Sequence, residues 1–386
     1  MLNSIIQREW KQIFEKRVLY GILIFVPILL FVVLSLIYQQ KVITDLPFAV
    51  VDRDNSQLSR LLIRSLDATR TLAVSHTVTD EEELRKLFWK GEIEGAVVIP
   101  AGLADDIKRG KSGSVVVYKN TANLIIGNLI LKDALGAVRT ISAGIQLKQQ
   151  KARGLLSEQA MHQVVPIDLQ ANSLYNPAYN YINFLIPGLL AVMLQMIAMI
   201  AIAYSFSLEK TERGWAELMS LSKGRVWPVL LGKSLPHIFL NTASSLALVG
   251  ILFPLYGIPV HGNLFMLTGF TILLIMASCA TGMMLSTFFN DLMLASEAAV
   301  FLTTPAFIFS GYTFPVEAMP AIHQYYAALL PSTHFMTGFI KLYQMGTPLE
   351  MLWSETVILL GFTIIPLLIA WLIFRKRWGQ KGKEKA

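Results

Sequence analysis

Residues 207–236 read SLEKTERGWAELMSLSKGRVWPVLLGKSLP and set eight charged side chains between two long apolar stretches. They are Glu209, Lys210, Glu212, Arg213, Glu217, Lys223, Arg225 and Lys233. A charge at the centre of a bilayer costs at least ~2.5 kcal/mol on insertion scales. The chain must therefore leave the hydrocarbon here and re-enter it, with all eight charges outside. Five of the eight are basic, which places this hinge on the cytoplasmic side.

The rest of the chain fits that constraint. Of its 386 residues, 54% are hydrophobic and 15% charged, where a soluble protein carries roughly 25% charge. Residues 18–38 contain no charge, and at ~1.5 Å per residue they match one bilayer core of ~30 Å. Five further spans follow at about 181–206, 228–254, 264–288, 294–312 and 352–374. No small-residue cleavage site follows the first, so it reads as an anchor. The net charge of +7 is uneven: +2 over residues 1–17, +2 over 207–236, +5 from Arg375 onward, and only +2 over the whole of 39–180. This is an orientation signal and not a nucleic-acid footprint. It places both termini in the cytoplasm, with 39–180, 255–263 and 313–351 on the far side. The one cysteine, Cys279, lies in an apolar span, so neither an intramolecular disulfide nor a cysteine metal site is expected.

Residues 1–17 space Leu2, Ile5, Ile6, Trp10, Ile13 and Phe14 at three and four residues, with Gln7, Arg8, Lys11, Glu15 and Lys16 between them. That pattern predicts an amphipathic helix in the headgroup layer. Residues 39–180 are polar and alternate short β runs (47–51, 72–78, 96–99, 114–118) with helical patterns near 56–68 and 79–90, the latter opened by a Thr79–Glu82 capping box. A small α/β domain is expected, closed by one long helix from about Asn123 to His162. Residues 313–351 are too long for a turn and too apolar for a free loop, which suggests short re-entrant helices. The fold class is thus a polytopic α-helical membrane protein: six transmembrane helices, an extracytoplasmic α/β domain between the first and second, and a basic tail at 375–386.

Motifs for chemistry are sparse. Gly-Lys-Ser occurs at 110–112 and 232–234, but a phosphate-binding loop needs glycine where Asp105 and Trp227 stand. Both matches read as chance, so ATP is not bound by that route. His76, His162, His237, His261, His323 and His334 are scattered and read as loop or interface residues. Paired carboxylates at Glu81–Glu83 and Asp105–Asp106 read as solvated helix faces. Within the spans ionisable groups are nearly missing. Glu297 is the exception, read either as an intramembrane polar site or as a carboxylate reaching the interface. So few buried charges disfavour an ion-coupled carrier and favour an apolar or amphipathic substrate path.

Glu209, Glu212-Arg213-Gly214, Glu217-Leu218, Gly232-Lys233 and Pro236 together resemble the hinge of the ABC-2 type permeases, the membrane subunits of ATP-driven exporters. SGYTFPVEAMP at 310–320 and PSTHF at 331–335 are similar to that family's region before the last span, carried here by Phe314, Pro315, Met319, Pro320 and Pro331. The order of parts also matches, including VVDRDNSQLS at 51–59 opening the external domain. Two positions depart from the pattern: Trp215-Ala216 follow Gly214, and Leu221-Ser222-Lys223 follow the hinge helix. The resemblance implies a permease subunit in a bacterial inner membrane, without cofactor of its own. ATP and Mg would be bound by a partner ABC ATPase docking on a coupling helix at 208–225, and a second permease, identical or a sister chain, would complete the path. A periplasmic adaptor is a further implied partner. A membrane sensor with an external ligand-binding domain is the competing reading.

Overall fold

The computed structural model describes residues 1–37, 43–164, 174–176, 180–211, 214–289 and 291–383. They form two compact units, one of Met1–Lys41 with Ser173–Ala386, the other of Val42–Asn172. The first unit opens with helix α1 (Leu2–Glu15) and helix α2 (Arg17–Ile37).

The second unit is built on a four-stranded sheet. Its elements are β1 (Leu46–Asp52), α3 (Gln57–Asp67), β2 (Leu72–Thr77), α4 (Glu81–Lys90), β3 (Gly95–Ile99), α5 (Leu103–Lys108), β4 (Val116–Lys119), α6 (Leu124–Ala152) and α7 (Ser157–Val164). The strand order is β2-β1-β3-β4, with β1 parallel to both neighbours and β4 antiparallel to β3. Side chains alternate across a strand, and here both faces are covered. Phe48, Val50, Val97 and Ile99 pack with Leu62, Leu66 and Ile130, while Ala49, Val51, Ala96 and Val98 pack with Leu84, Leu87 and Ile93. Two local features differ from the sequence reading. The α4 cap is Asp80, whose carboxylate accepts from the Glu83 N–H at 2.7 Å, one residue later than the Thr79–Glu82 box. The closing helix also breaks: Gly154 takes φ +89° just after α6, a conformation that ends a helix and that glycine adopts without strain.

The first unit resumes with α8 (Tyr181–Thr211), α9 (Gly214–Leu221), α10 (Val226–Tyr256), α11 (Leu264–Phe288), α12 (Leu292–Phe309), α13 (Ala321–Ala328), α14 (Pro331–Tyr343) and α15 (Trp353–Lys383). Among the described residues six helices are long and apolar enough to cross a membrane: α2, α8, α10, α11, α12 and α15. Their bounds agree with the sequence reading to within a few residues. Helix α8 is central, with 78% of its most apolar stretch buried, against 22% for α2, α10 and α12, whose outer faces stay open. Ile186, Leu190, Leu274 and Phe335 belong to one core and Phe206, Leu230, Ile275 and Phe374 to another. The region 313–351 does contain short helices. Prolines begin each piece, where the missing N–H costs nothing: Pro315 before the turn at Val316–Ala318, Pro320 at the N-cap of α13, and Pro331 as the first residue of α14. Met319 is buried and Phe314 exposed. Phe335 of α14 stacks on Phe270 of α11 with ring centroids 5.1 Å apart.

Candidate functional site: a charged seam beneath the hinge

Helix α1 buries the stripe Ile5, Glu9 and Ile13, which recurs every four residues and faces α10. The carboxylate in the middle of that stripe is fully enclosed. Lys233 of α10 donates to Glu9 Oε2 at 2.5 Å and to Glu209 Oε1 at 2.7 Å. Ser205 Oγ donates to Glu9 Oε1 at 2.5 Å, and His237 Nε2 lies 2.8 Å from the same oxygen. An ionised carboxylate only accepts, so His237 Nε2 carries the hydrogen. His237 Nδ1 is buried without a hydrogen-bond partner among the described residues.

Arg8, one residue before Glu9, extends this cluster toward the hinge. Its guanidinium grips Glu209 with both terminal nitrogens, at 2.6 and 2.9 Å, and its Nε donates to Glu217 Oε2 of α9 at 2.8 Å. A fork of this kind fixes geometry as well as charge. Burial opposes charge on Arg8, but the hydrogen bonds and charges of Glu209 and Glu217 outweigh it and raise its pKa above the ordinary value. Burial likewise pushes Glu9 up, yet Lys233 and His237 outweigh it and hold the carboxyl down at about 2. Arg8 and Glu9 are therefore both charged at neutral pH.

Two glycines let these elements meet. A Cβ on Gly232 would come within 2.6 Å of Ile5 Cγ2, so the absence of a side chain seats α1 on α10. A Cβ on Gly214 would strike Glu209 Oε2 and approach Arg8 Nη2 to 2.8 Å. The second Gly-Lys-Ser is thus a packing seat: glycine for close approach, lysine for the carboxylates, and Ser234, whose hydroxyl bonds back to Leu230 O at 2.8 Å.

The structure redistributes the residues expected from sequence. Glu209, Gly214 and Glu217 join the seam, and Leu218 is buried with Ile5 and Val229 beneath α9. Glu212 and Arg213 lie outside the described residues. Two expectations are corrected. Lys233 and Glu209 do not need water, because each is buried against the other and against α1. Nor are the long helices nearly free of ionisable groups: Glu209, Lys210, Lys233, His237 and Glu355 all lie within them. Arg8, read as part of a polar helix face, and His237, read as a loop or interface residue, instead belong to the seam, with His237 buried inside α10; Glu9 and Ser205 were not singled out, although the Ile5–Glu9–Ile13 spacing carried the signal for Glu9. Phe314, Pro315, Met319, Pro320 and Pro331 lie in the segment after α12, and among the described residues none of them forms a hydrogen bond or ion pair with a seam side chain. Glu297 lies on α12. Among the described residues no cluster of histidine, cysteine or carboxylate side chains has the arrangement to hold a metal ion.

Six apolar helices, a short charged hinge helix and a buried ionic seam tying it to two of them describe a membrane permease. The chain belongs to the ABC-2 family: the profile described as ABC-2 family transporter protein matches residues 16–372. Among similar proteins is the probable multidrug ABC transporter permease YbhS of Escherichia coli, 25% identical over 328 residues, covering 81% of this chain and 82% of that one. The inner membrane transport permease YhhJ of Escherichia coli is 23% identical, covering 86% of each chain. ABC transporter G family member 20 of Dictyostelium discoideum is 21% identical over 86% of this chain and 45% of its own length.

Proposed function

We propose that this chain is the transmembrane subunit of an ATP-driven exporter, moving an apolar or amphipathic substrate out of the cytoplasm or inner membrane with energy from a separate ATPase subunit. One observation carries the reading. Helix α9 is fastened on one side by Arg8–Glu217 and by Leu218 against Ile5, while Ala216, Ser220 and Lys223 on and beside it are exposed. A load applied to the exposed side passes through rigid ion pairs into α1, α8 and α10 together. A hinge that was only a solvated loop would have no use for Arg8, whose two-nitrogen grip on the buried Glu209 holds the guanidinium that meets Glu217.

In this reading α9 is the coupling helix, docked on an ABC ATPase at the cytoplasmic face of a bacterial inner membrane. Glu209, Glu212, Arg213, Gly214, Glu217 and Leu218 form or support the contact. Both termini are cytoplasmic, and the sheet unit lies outside, where it caps the exit or meets a periplasmic adaptor. A second permease subunit pairs with this one. The names of the Escherichia coli relatives, a probable multidrug permease and an inner membrane permease, agree with this placement. The test is purification of the chain from native membranes in mild detergent. A stoichiometric ATPase subunit, lost when Glu212→Ala is combined with Arg213→Ala, supports the reading. Recovery of the chain with no nucleotide-binding partner overturns it.

A further inference from the structure

Glu297 forms no hydrogen bond or ion pair among the described residues, yet it stands on a helix otherwise apolar enough to cross a membrane. Glu297, Val300, Phe301 and Thr304 fall at i, i+3, i+4 and i+7, so they share one face of α12. That face is one wall of an open groove of about 780 Å³, a volume within the range of small-molecule sites, ~300–1,000 Å³. The groove is aromatic at its far end, where Phe309 at the end of α12 stacks on His323 of α13 at 5.6 Å with planes 8° apart and meets Tyr326 of α13 edge-on at 4.9 Å. Phe301 is 82% exposed.

The polar groups of the groove select the occupant. Tyr326 donates its hydroxyl to Leu302 O at 2.9 Å, and Thr304 donates to Val300 O at 2.7 Å. Both hydroxyls are used within the chain, the His323 ring is stacked on Phe309, and among the described residues no lysine or arginine lines the groove. Glu297 is exposed on this face, and a carboxylate on an apolar membrane helix is balanced either by water or by a counter-charge. Aromatic faces attract cations through their quadrupole. We infer that this groove binds a lipophilic organic cation, with its positive centre at Glu297 and its apolar body against Phe301, Phe309 and Tyr326. The inference rests on the transport reading and narrows its substrate class.

The test uses the full-length chain in lipid nanodiscs at pH 8 and measures equilibrium binding of radiolabelled tetraphenylphosphonium. Saturable binding is expected, weakened at least about tenfold by Glu297→Gln and several-fold by Phe301→Ala. Tetraphenylborate, of nearly the same size and opposite charge, should not compete. Wild-type affinity in Glu297→Gln, or equal competition by the borate, overturns the inference. So does a Phe301→Cys chain that cross-links to a second copy without any protection by the phosphonium, because the groove is then a subunit contact. The assay needs neither nucleotide nor ATPase. A chain that binds the cation but recruits no ATPase removes the transport reading and leaves the cation site standing. One that recruits the ATPase but binds no cation does the reverse.

Discussion

Glu9 and Lys233 form a fully buried ion pair, 2.5 Å between Oε2 and Nζ, across the contact of the first helix with α10. Removing one member of such a pair leaves an uncompensated charge in a low-dielectric site and costs about 3–5 kcal/mol, whereas replacing both by apolar groups is often neutral. Glu9→Gln or Lys233→Met alone should therefore lower the thermal midpoint of the detergent-solubilised chain sharply. The double variant should recover much of the loss, because Arg8 is left to balance Glu209. Strictly additive losses would show that the two groups do not act as a pair.

The same carboxylate predicts a pH dependence with a definite sign. Its folded pKa, about 2, lies below the ordinary 4.5. A depressed carboxylate stabilises the fold above the ordinary value, and that stabilisation is lost as pH falls through the folded one. The window is thus about pH 4.5 down to about 2, and the amount is on the order of 3 kcal/mol. Thermal midpoints measured across this window should fall in the wild type and fall less steeply in Glu9→Gln. Parallel curves would remove Glu9 as the titrating group.

Much of this architecture is legible in the sequence. Charge-free stretches of about 20 residues announce spans because the bilayer leaves no alternative, and the short β runs at 47–51 and 96–99, alternating with helical patterns, announce an α/β unit; that both faces of its sheet are covered is visible only in the packing. The seam was only half legible. Glu209 and Glu217 stood out as hinge charges, but their partner Arg8 lies some 200 residues away in the chain, and periodicity cannot reach that far. Lys233 stands between two apolar stretches like the other hinge charges, and its sequence neighbours do not distinguish it from a solvated one. It is dry because Glu9 interrupts an apolar stripe at a position where burial is forced. A charged residue in register with Ile5 and Ile13 is a sign of a buried partner, and that sign was present in the sequence.

Gly232 should resist enlargement. A methyl group there meets Ile5 Cγ2 at 2.6 Å, closer than ordinary contact, so α1 must lift or Ile5 must move. Overpacking of this kind costs about 1–3 kcal/mol. Gly232→Ala should destabilise the chain and expose α1 to limited proteolysis, and Ile5→Ala should restore protection in the double variant. An unaltered cleavage pattern in Gly232→Ala would mean that α1 is not seated at this point.

Arg8 touches both Glu209 at the end of α8 and Glu217 on the hinge helix. Its two contacts differ in kind. Glu209 is 1% exposed and gripped by two nitrogens, whereas Glu217 is 60% exposed and held by one. An exposed pair contributes little to stability, about 0–1 kcal/mol, so the Glu217 contact matters for geometry: it sets where α9 stands relative to α1. Lysine keeps the charge but cannot reproduce the fork. Arg8→Lys should therefore hold the fold, through its contact with Glu209, while releasing α9. In the proposed exporter this separates two readouts. The ATPase subunit should still co-purify, since the exposed face of α9 is unchanged, but substrate-stimulated ATP hydrolysis and transport should fall about tenfold or more, as happens when a positioning contact is lost. Glu217→Gln should show a milder form of the same defect. If Arg8→Lys transports at the wild-type rate, force does not pass through this seam. If it instead loses the ATPase altogether, Arg8 belongs to the docking surface and not to the linkage behind it.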